Sequence, residues 1–207
     1  MTYGEKLFYV VANGTAATFA YDRLAVHRKA AHKQMERIVD ELAALNHLSL
    51  LEPKQGASLE EMRAYIREGI IRVQPLLYEV HFYFVAWANC RNMLEILVNQ
   101  PELLEAKKVF DGHQKHYDHY VAGRNSFEHF HDRLPGQRNA DRVKEVQPDQ
   151  MAGPHRIYSG FLAGKYVHSD MSWDISANSV VVLDQMIEDV LLIVHKTIDD
   201  EFSKKGF

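Results

Sequence analysis

A chain of 207 residues with 46% apolar and 25% charged side chains suits one globular domain that buries a core without covalent staples. Its formal net charge of −4 excludes broad electrostatic binding to nucleic acid, which needs a basic surplus, and leaves room only for a local positive site. The single cysteine, Cys90, excludes a disulfide framework within the chain and points to a reducing, cytoplasmic compartment.

Cys90 falls in the apolar run Phe82–Cys90 and reads as a buried, inert thiol. Met1–Gly14 lacks the long apolar centre of a secretory signal. No run reaches the roughly 20 apolar residues of a membrane helix, so no membrane association is expected. Within Met1–Gly14, Leu7–Val11 reads as a strand or a docking segment, and Asn13-Gly14 as a turn. Thr15 offers a cap for a helix to about Asn46. On it Leu24, His27, Ala31, Met35, Ile38, Leu42 and Leu45 recur at steps of three and four and share one face. Arg28, Lys29, Lys33, Glu36, Arg37 and Asp40 form a mixed, solvated opposite face.

After the break at Pro53–Gly56, Ser58 and Glu61 have the spacing of a capping box. A second helix is expected to about Asn99, kinked or split at Pro75, which removes one ladder bond. Its core face is Met62, Ile66, Ile70, Val73, Leu77, Phe84, Trp87, Leu94 and Val98. Arg91 falls on the same face and needs a partner. It is either an inter-helix salt bridge or a second cation for the site described next.

Pro101 suits the start of a third helix, to about Leu134. Gly123 inside it costs about 1 kcal/mol relative to alanine, so it marks close helix packing or a local kink. Residues 135–155 read as a polar surface loop. A β-hairpin follows over about 156–175, with a third strand expected at Ser172–Ile175. The last helix runs from about Ala177 to Phe202, with Val180, Leu183, Ile187, Val190, Leu191, Val194 and Ile198 as its buried stripe. The expected fold is mainly α: a single domain over residues 1–207, an antiparallel four-helix up-down bundle with a small β-hairpin inserted before the last helix.

The third helix carries the chemistry. At about 100° per residue, His113, Tyr117, Tyr120, Arg124, Glu128 and His131 share one side. That stripe is too polar for an ordinary core and too aromatic for an ordinary solvent face, so it reads as a wet interior or a subunit interface. His129 lies about 140° around the helix from Arg124. The two converge only if the helix distorts, if a ligand spans both faces, or if a symmetric partner helix supplies one of them. Arginine presents a planar fork of donors to phosphate, and histidine exchanges protons near neutral pH.

Arg124-Asn125-Ser126-Phe127-Glu128-His129 resembles the signature of HEPN domains, in which an arginine, commonly followed by a polar residue, precedes a histidine near the end of a helix in a four-helix bundle. The string Gly123–Leu134 is similar to a bacterial branch of HEPN-like proteins. The resemblance implies metal-independent endoribonuclease chemistry or RNA binding across a homodimer, without cofactor or obligatory metal. It implies His129 as general base or acid, Arg124 as stabiliser of phosphate charge and Asn125 as a positioning group. Tyr117, Tyr120, Glu128 and His131, on the same helix, are the expected substrate contacts. The family also contains catalytically silent members, so the competing expectation is a helical interaction or assembly module. In that case Arg124 pairs with Glu128 four residues on, and His129 caps the helix end.

A third option is metal. His113, His116 and His119 step by three, but the outer pair are about 120° apart, so only neighbouring pairs could share an ion. Bundle metal sites draw Glu-x-x-His units from two helices, whereas the second helix has none and the third has one, Glu128 to His131.

Overall fold

The computed structural model describes residues 1–47, 58–128, 159–162, 164–168 and 171–206. The chain starts with a helix, not a strand. Glu5 N donates to Thr2 Oγ1 at 3.2 Å, and Thr2 N donates to Glu5 Oε2 at 2.7 Å. This capping box opens α1 (Tyr3–Val10) and decides against the strand among the two alternatives for Leu7–Val11. Leu7 and Val10 face inward, while Phe8 and Tyr9 are exposed. A five-residue apolar run is ambiguous in period, and here the cap and the helical packing decide it.

α2 (Gly14–His47) begins one residue before the expected cap, with Asn13 Oδ1 accepting from Ala16 N at 3.3 Å. Gly14 packs directly under α1. A Cβ at this position would lie 2.3 Å from the Phe8 carbonyl oxygen and 2.6 Å from Phe8 Cα. Backbone cannot swing aside as a side chain can, so Gly14→Ala is expected to cost about 1–3 kcal/mol. Chemical denaturation checks this. An unchanged midpoint would mean that α1 does not pack so closely.

On α2, Leu24, Ala31, Met35 and Ile38 are buried and Leu42 and Leu45 pack against the core, as their spacing predicts. α3 (Leu59–Val98) opens with the expected Ser58/Glu61 box and continues unbroken through Pro75. Its C-terminal half buries Phe84, Trp87, Leu94 and Val98. Met62, expected in the core, is 37% exposed. Periodicity reports which face is apolar, not how far neighbouring helices reach along it. The side chains of Ile66 and Ile70 lie outside the described residues.

Pro101–Leu103 forms a 3₁₀ turn leading into α4 (Leu104–Glu128). Its predicted extension to Leu134 and the predicted loop 135–155 lie outside the described residues. The strands β1 (Ser159–Leu162), β2 (Lys165–His168) and β3 (Met171–Asp174) form an antiparallel sheet in that order. Gly164 turns the hairpin with φ of 76°, a conformation that favours glycine. Tyr166 pairs with Trp173 in the β2–β3 register, and both rings are buried. The Asp174 carboxylate accepts from Ser176 N at 2.9 Å, and Ser176 caps α5 (Ala177–Lys204). The α5 stripe from Val180 to Ile198 is buried as predicted, with Leu191 at its margin.

The elements meet through identifiable pairs. Between α2 and α3, Arg37 lies 3.7 Å from Glu79, and just outside the two helices the amide of Asn13 donates to Gln100 Oε1 at 3.3 Å. Between α3 and α4, the Trp87 ring stacks on Tyr120 at 3.8 Å, and Arg91 Nε lies 3.4 Å from Asp118. Between α4 and α5, His113 Nε2 lies 3.1 Å from Asp189. Between α2 and α5, Arg28 Nε donates to Asp184 at 2.7 Å. The protein is mainly helical, with the small antiparallel sheet placed before its last helix. No helix among the described residues is long and apolar enough to cross a membrane.

Candidate functional site

α4 presents its aromatic stripe to the core. Tyr117 is 1% exposed and Tyr120 is 5% exposed. Trp87 lies flat on Tyr120, with 8° between the planes, and Phe110 stacks on Tyr117 at 5.6 Å. The Tyr120 hydroxyl donates to the Asp174 carbonyl at 2.9 Å, which ties the end of the sheet to α4. These two tyrosines are therefore structural, not substrate contacts. Tyr120 satisfies its hydroxyl internally and both rings are buried, so a stripe that looks wet in sequence can be dry. Burial pushes the pKa of both phenols well above the ordinary tyrosine value.

The histidines of α4 diverge. His113 faces Asp189, while His119 Nε2 donates to the Ser172 carbonyl at 3.0 Å and its ring stacks on Trp173. His116 is exposed. Among the described residues no group of three or more His, Cys, Asp or Glu side chains converges as metal ligands would. Arg91 is engaged by Asp118 across the helices and by Glu95 at 2.9 Å, which is the salt-bridge alternative. Cys90 is buried, and burial pushes its pKa up to about 12, as befits an inert thiol.

Gly123 permits close packing. A Cβ there would lie 2.8 Å from two atoms of the Phe84 ring and 3.1 Å from Trp173 Nε1. Three and four residues on, Ser126 is buried, and Phe127 stacks on Tyr166 at 5.0 Å. Gly123, Ser126 and Phe127 thus fix this turn of α4 against α3 and the sheet. Arg124 and Asn125 are left half-buried at the margin of the packed face. Arg124 Nη2 donates to Asn125 Oδ1 at 3.1 Å, so the structure brings these two predicted site residues together. His129, His131 and the side chain of Glu128 lie outside the described residues.

Sequence reasoning missed His81. Its ring lies 5.4 Å from that of Phe127, in the motif, although the two positions are far apart in the chain. It also missed a polar cluster between α1 and α5. There the Tyr3 ring stacks on His195 at 3.8 Å, and Asp199 receives both the Tyr3 hydroxyl at 2.9 Å and Lys6 Nζ at 2.5 Å. None of these pairs has a local spacing that would announce it. Compared with protein-family models, with curated proteins and with solved structures, the chain finds no match in any of the three.

Proposed function

We propose that this chain is a HEPN-like protein that binds and cleaves RNA as a homodimer in the cytoplasm, with residues 1–207 forming one domain. The observation that carries this reading is the Arg124 guanidinium, bonded to Asn125 on a turn of α4 anchored by its neighbours, five positions before a histidine in sequence. The helix pairs support an up-down bundle as its frame. Going up α2, residues 21, 28 and 32 meet residues 195, 188 and 184 of α5 in descending order. Along α3, residues 84, 87 and 91 likewise meet residues 127, 120 and 118 of α4. Antiparallel neighbours of this kind, including the first and last long helices, fit the topology of such bundles.

In this mechanism the ribose 2′-hydroxyl attacks the adjacent phosphorus and the 5′-oxygen leaves. His129 takes the proton from the nucleophile or gives one to the leaving group. Arg124 stabilises charge developing on the non-bridging oxygens. A second subunit supplies the other copy of each group, which meets the difficulty that one helix holds Arg124 and His129 about 140° apart. Purified protein is expected to cleave RNA in the presence of chelator. Arg124→Ala and His129→Ala are each expected to lower the rate by about 10²–10³ with an unchanged circular dichroism spectrum. Full activity in both variants, or none in the dimeric parent, would sink the reading. Activity lost only in chelator would favour a metal.

A second reading, a catalytically silent assembly module, is favoured by one feature. Ile71, Tyr78 and Phe82 of α3 are 60%, 56% and 52% exposed, an apolar series suited to an interface. It predicts no cleavage and a loss of self-association in Phe82→Ser, measured by sedimentation.

A further inference from the structure

Cleavage of RNA by its own 2′-hydroxyl moves two protons, one off the nucleophile and one onto the departing 5′-oxygen. The Arg124–His129 motif carries one imidazole for these two transfers. A second imidazole, His81, stands on α3 beside the motif.

Trp87 lies flat on Tyr120, and the Phe84 ring occupies the space that a side chain at Gly123 would need, which sets the register of α3 against α4. From Trp87 toward the start of α3, His81 comes six residues on, about 9 Å along the axis. From Tyr120 toward the end of α4, Arg124 comes four residues on, about 6 Å along the axis. The two helices run antiparallel here, so His81 and Arg124 stand within about 3 Å of the same level, less than the length of an arginine side chain. They also stand on facing sides. Arg124 is about 20° around α4 from Tyr117 and about 40° from Tyr120, the two residues that meet Trp87 of α3. The sheet meets α4 on the other flank, at His119. The His81 ring approaches that of Phe127, one turn beyond Arg124, to 5.4 Å. His81 is half-buried with Nδ1 turned inside, so Nε2 is the nitrogen that a phosphodiester would meet.

We propose that His81 is a catalytic residue of the Arg124 site, exchanging the second of the two protons; this rests on the ribonuclease reading above. One imidazole takes the 2′ proton as the bond from that oxygen to phosphorus forms. The other, protonated, gives its proton to the 5′-oxygen as the bond from phosphorus breaks. The products are a 2′,3′-cyclic phosphate and a 5′-hydroxyl, and no co-reactant is consumed. Arg124 holds the non-bridging oxygens between the two transfers.

The pH dependence of kcat/KM, measured with the full chain on a short RNA in chelator, tests this. The parent is expected to give a bell-shaped profile, one limb for each imidazole. His81→Gln is expected to lower kcat/KM at neutral pH by about 10² and to remove one limb. A packing role alone would lower the whole curve and keep both limbs. If circular dichroism shows His81→Gln unfolded, His81→Asn decides instead. A folded variant with an unchanged rate, or with both limbs intact, overturns the proposal. If Arg124→Ala and His129→Ala are inactive in the same assay, the ribonuclease reading survives that failure. A parent protein that leaves RNA intact overturns both.

Discussion

Replacing Trp173 with alanine is expected to lower the stability of the protein by about 3–5 kcal/mol, the range for deleting a large buried aromatic side chain. Trp173 is fully buried and belongs to the short strand β3, yet most of its contacts are with helices and with β2. Its Nε1 donates to the His119 carbonyl at 2.7 Å, and its ring lies 5.6 Å from Phe84 and 5.8 Å from Tyr166. It also fills the space that Gly123 leaves open, one residue before Arg124. Removing it creates a void between the sheet and α4 that rigid neighbours cannot close. Trp173→Phe keeps much of the ring and loses the hydrogen bond, so a further separation can be made. The bond alone is worth about 1 kcal/mol, and the remainder is packing. Urea denaturation of both variants, with near-ultraviolet circular dichroism, measures the two parts. An alanine variant as stable as its parent would mean that the sheet is not docked on α4.

Alkaline unfolding is the second large effect. Tyr83, Tyr117 and Tyr120 form one buried aromatic group with Trp87, and Cys90 is buried on the same helix as Tyr83 and Trp87. Burial raises the pKa of all three phenols, and that of the Cys90 thiol to about 12. The folded state therefore holds protons that the unfolded chain releases at the ordinary values of about 8.5 for cysteine and about 10 for tyrosine. Below those values both states are protonated and the stability is fully present. Above them the unfolded chain binds fewer protons, so stability falls as pH rises toward the folded-state values, by about 1.4 kcal/mol per pH unit for each group. Four such groups together exhaust a typical stability of about 5–15 kcal/mol within about three pH units. The part of the tyrosinate absorbance contributed by the three buried phenols is expected to appear together with the loss of far-ultraviolet circular dichroism, in one cooperative step. Tyr117→Phe is the informative variant, because among the described residues the Tyr117 hydroxyl has no hydrogen-bond partner. It is expected to move the alkaline midpoint upward without loss of stability at neutral pH. Gradual ionisation of all tyrosines in a folded protein would contradict the buried cluster.

The long helices were legible because their signals are local. The Ser58/Glu61 box, the three-and-four spacing of Leu24 to Ile38 and the stripe of α5 each involve residues within a turn or two. The hairpin was legible from its aromatics and Gly164, with the third strand displaced by one residue, to Met171–Asp174. The first helix was not, since Thr2 and Glu5 compete with an apolar run that fits either period. The candidate site was legible only as a motif. Arg124 and Asn125 are bonded to each other, half-buried on α4, but the tyrosines read as the wet wall of the site belong to the core.

By itself the amino-acid sequence determined where the long helices begin and which of their faces are apolar. Only the tertiary structure decided which polar groups are satisfied inside. Arg28 meets Asp184, His113 meets Asp189, and the Tyr120 hydroxyl meets the Asp174 carbonyl. These partners are 156, 76 and 54 positions apart. Helical periodicity carries information over a few residues, whereas the burial of a polar side chain depends on which distant group packing brings to it.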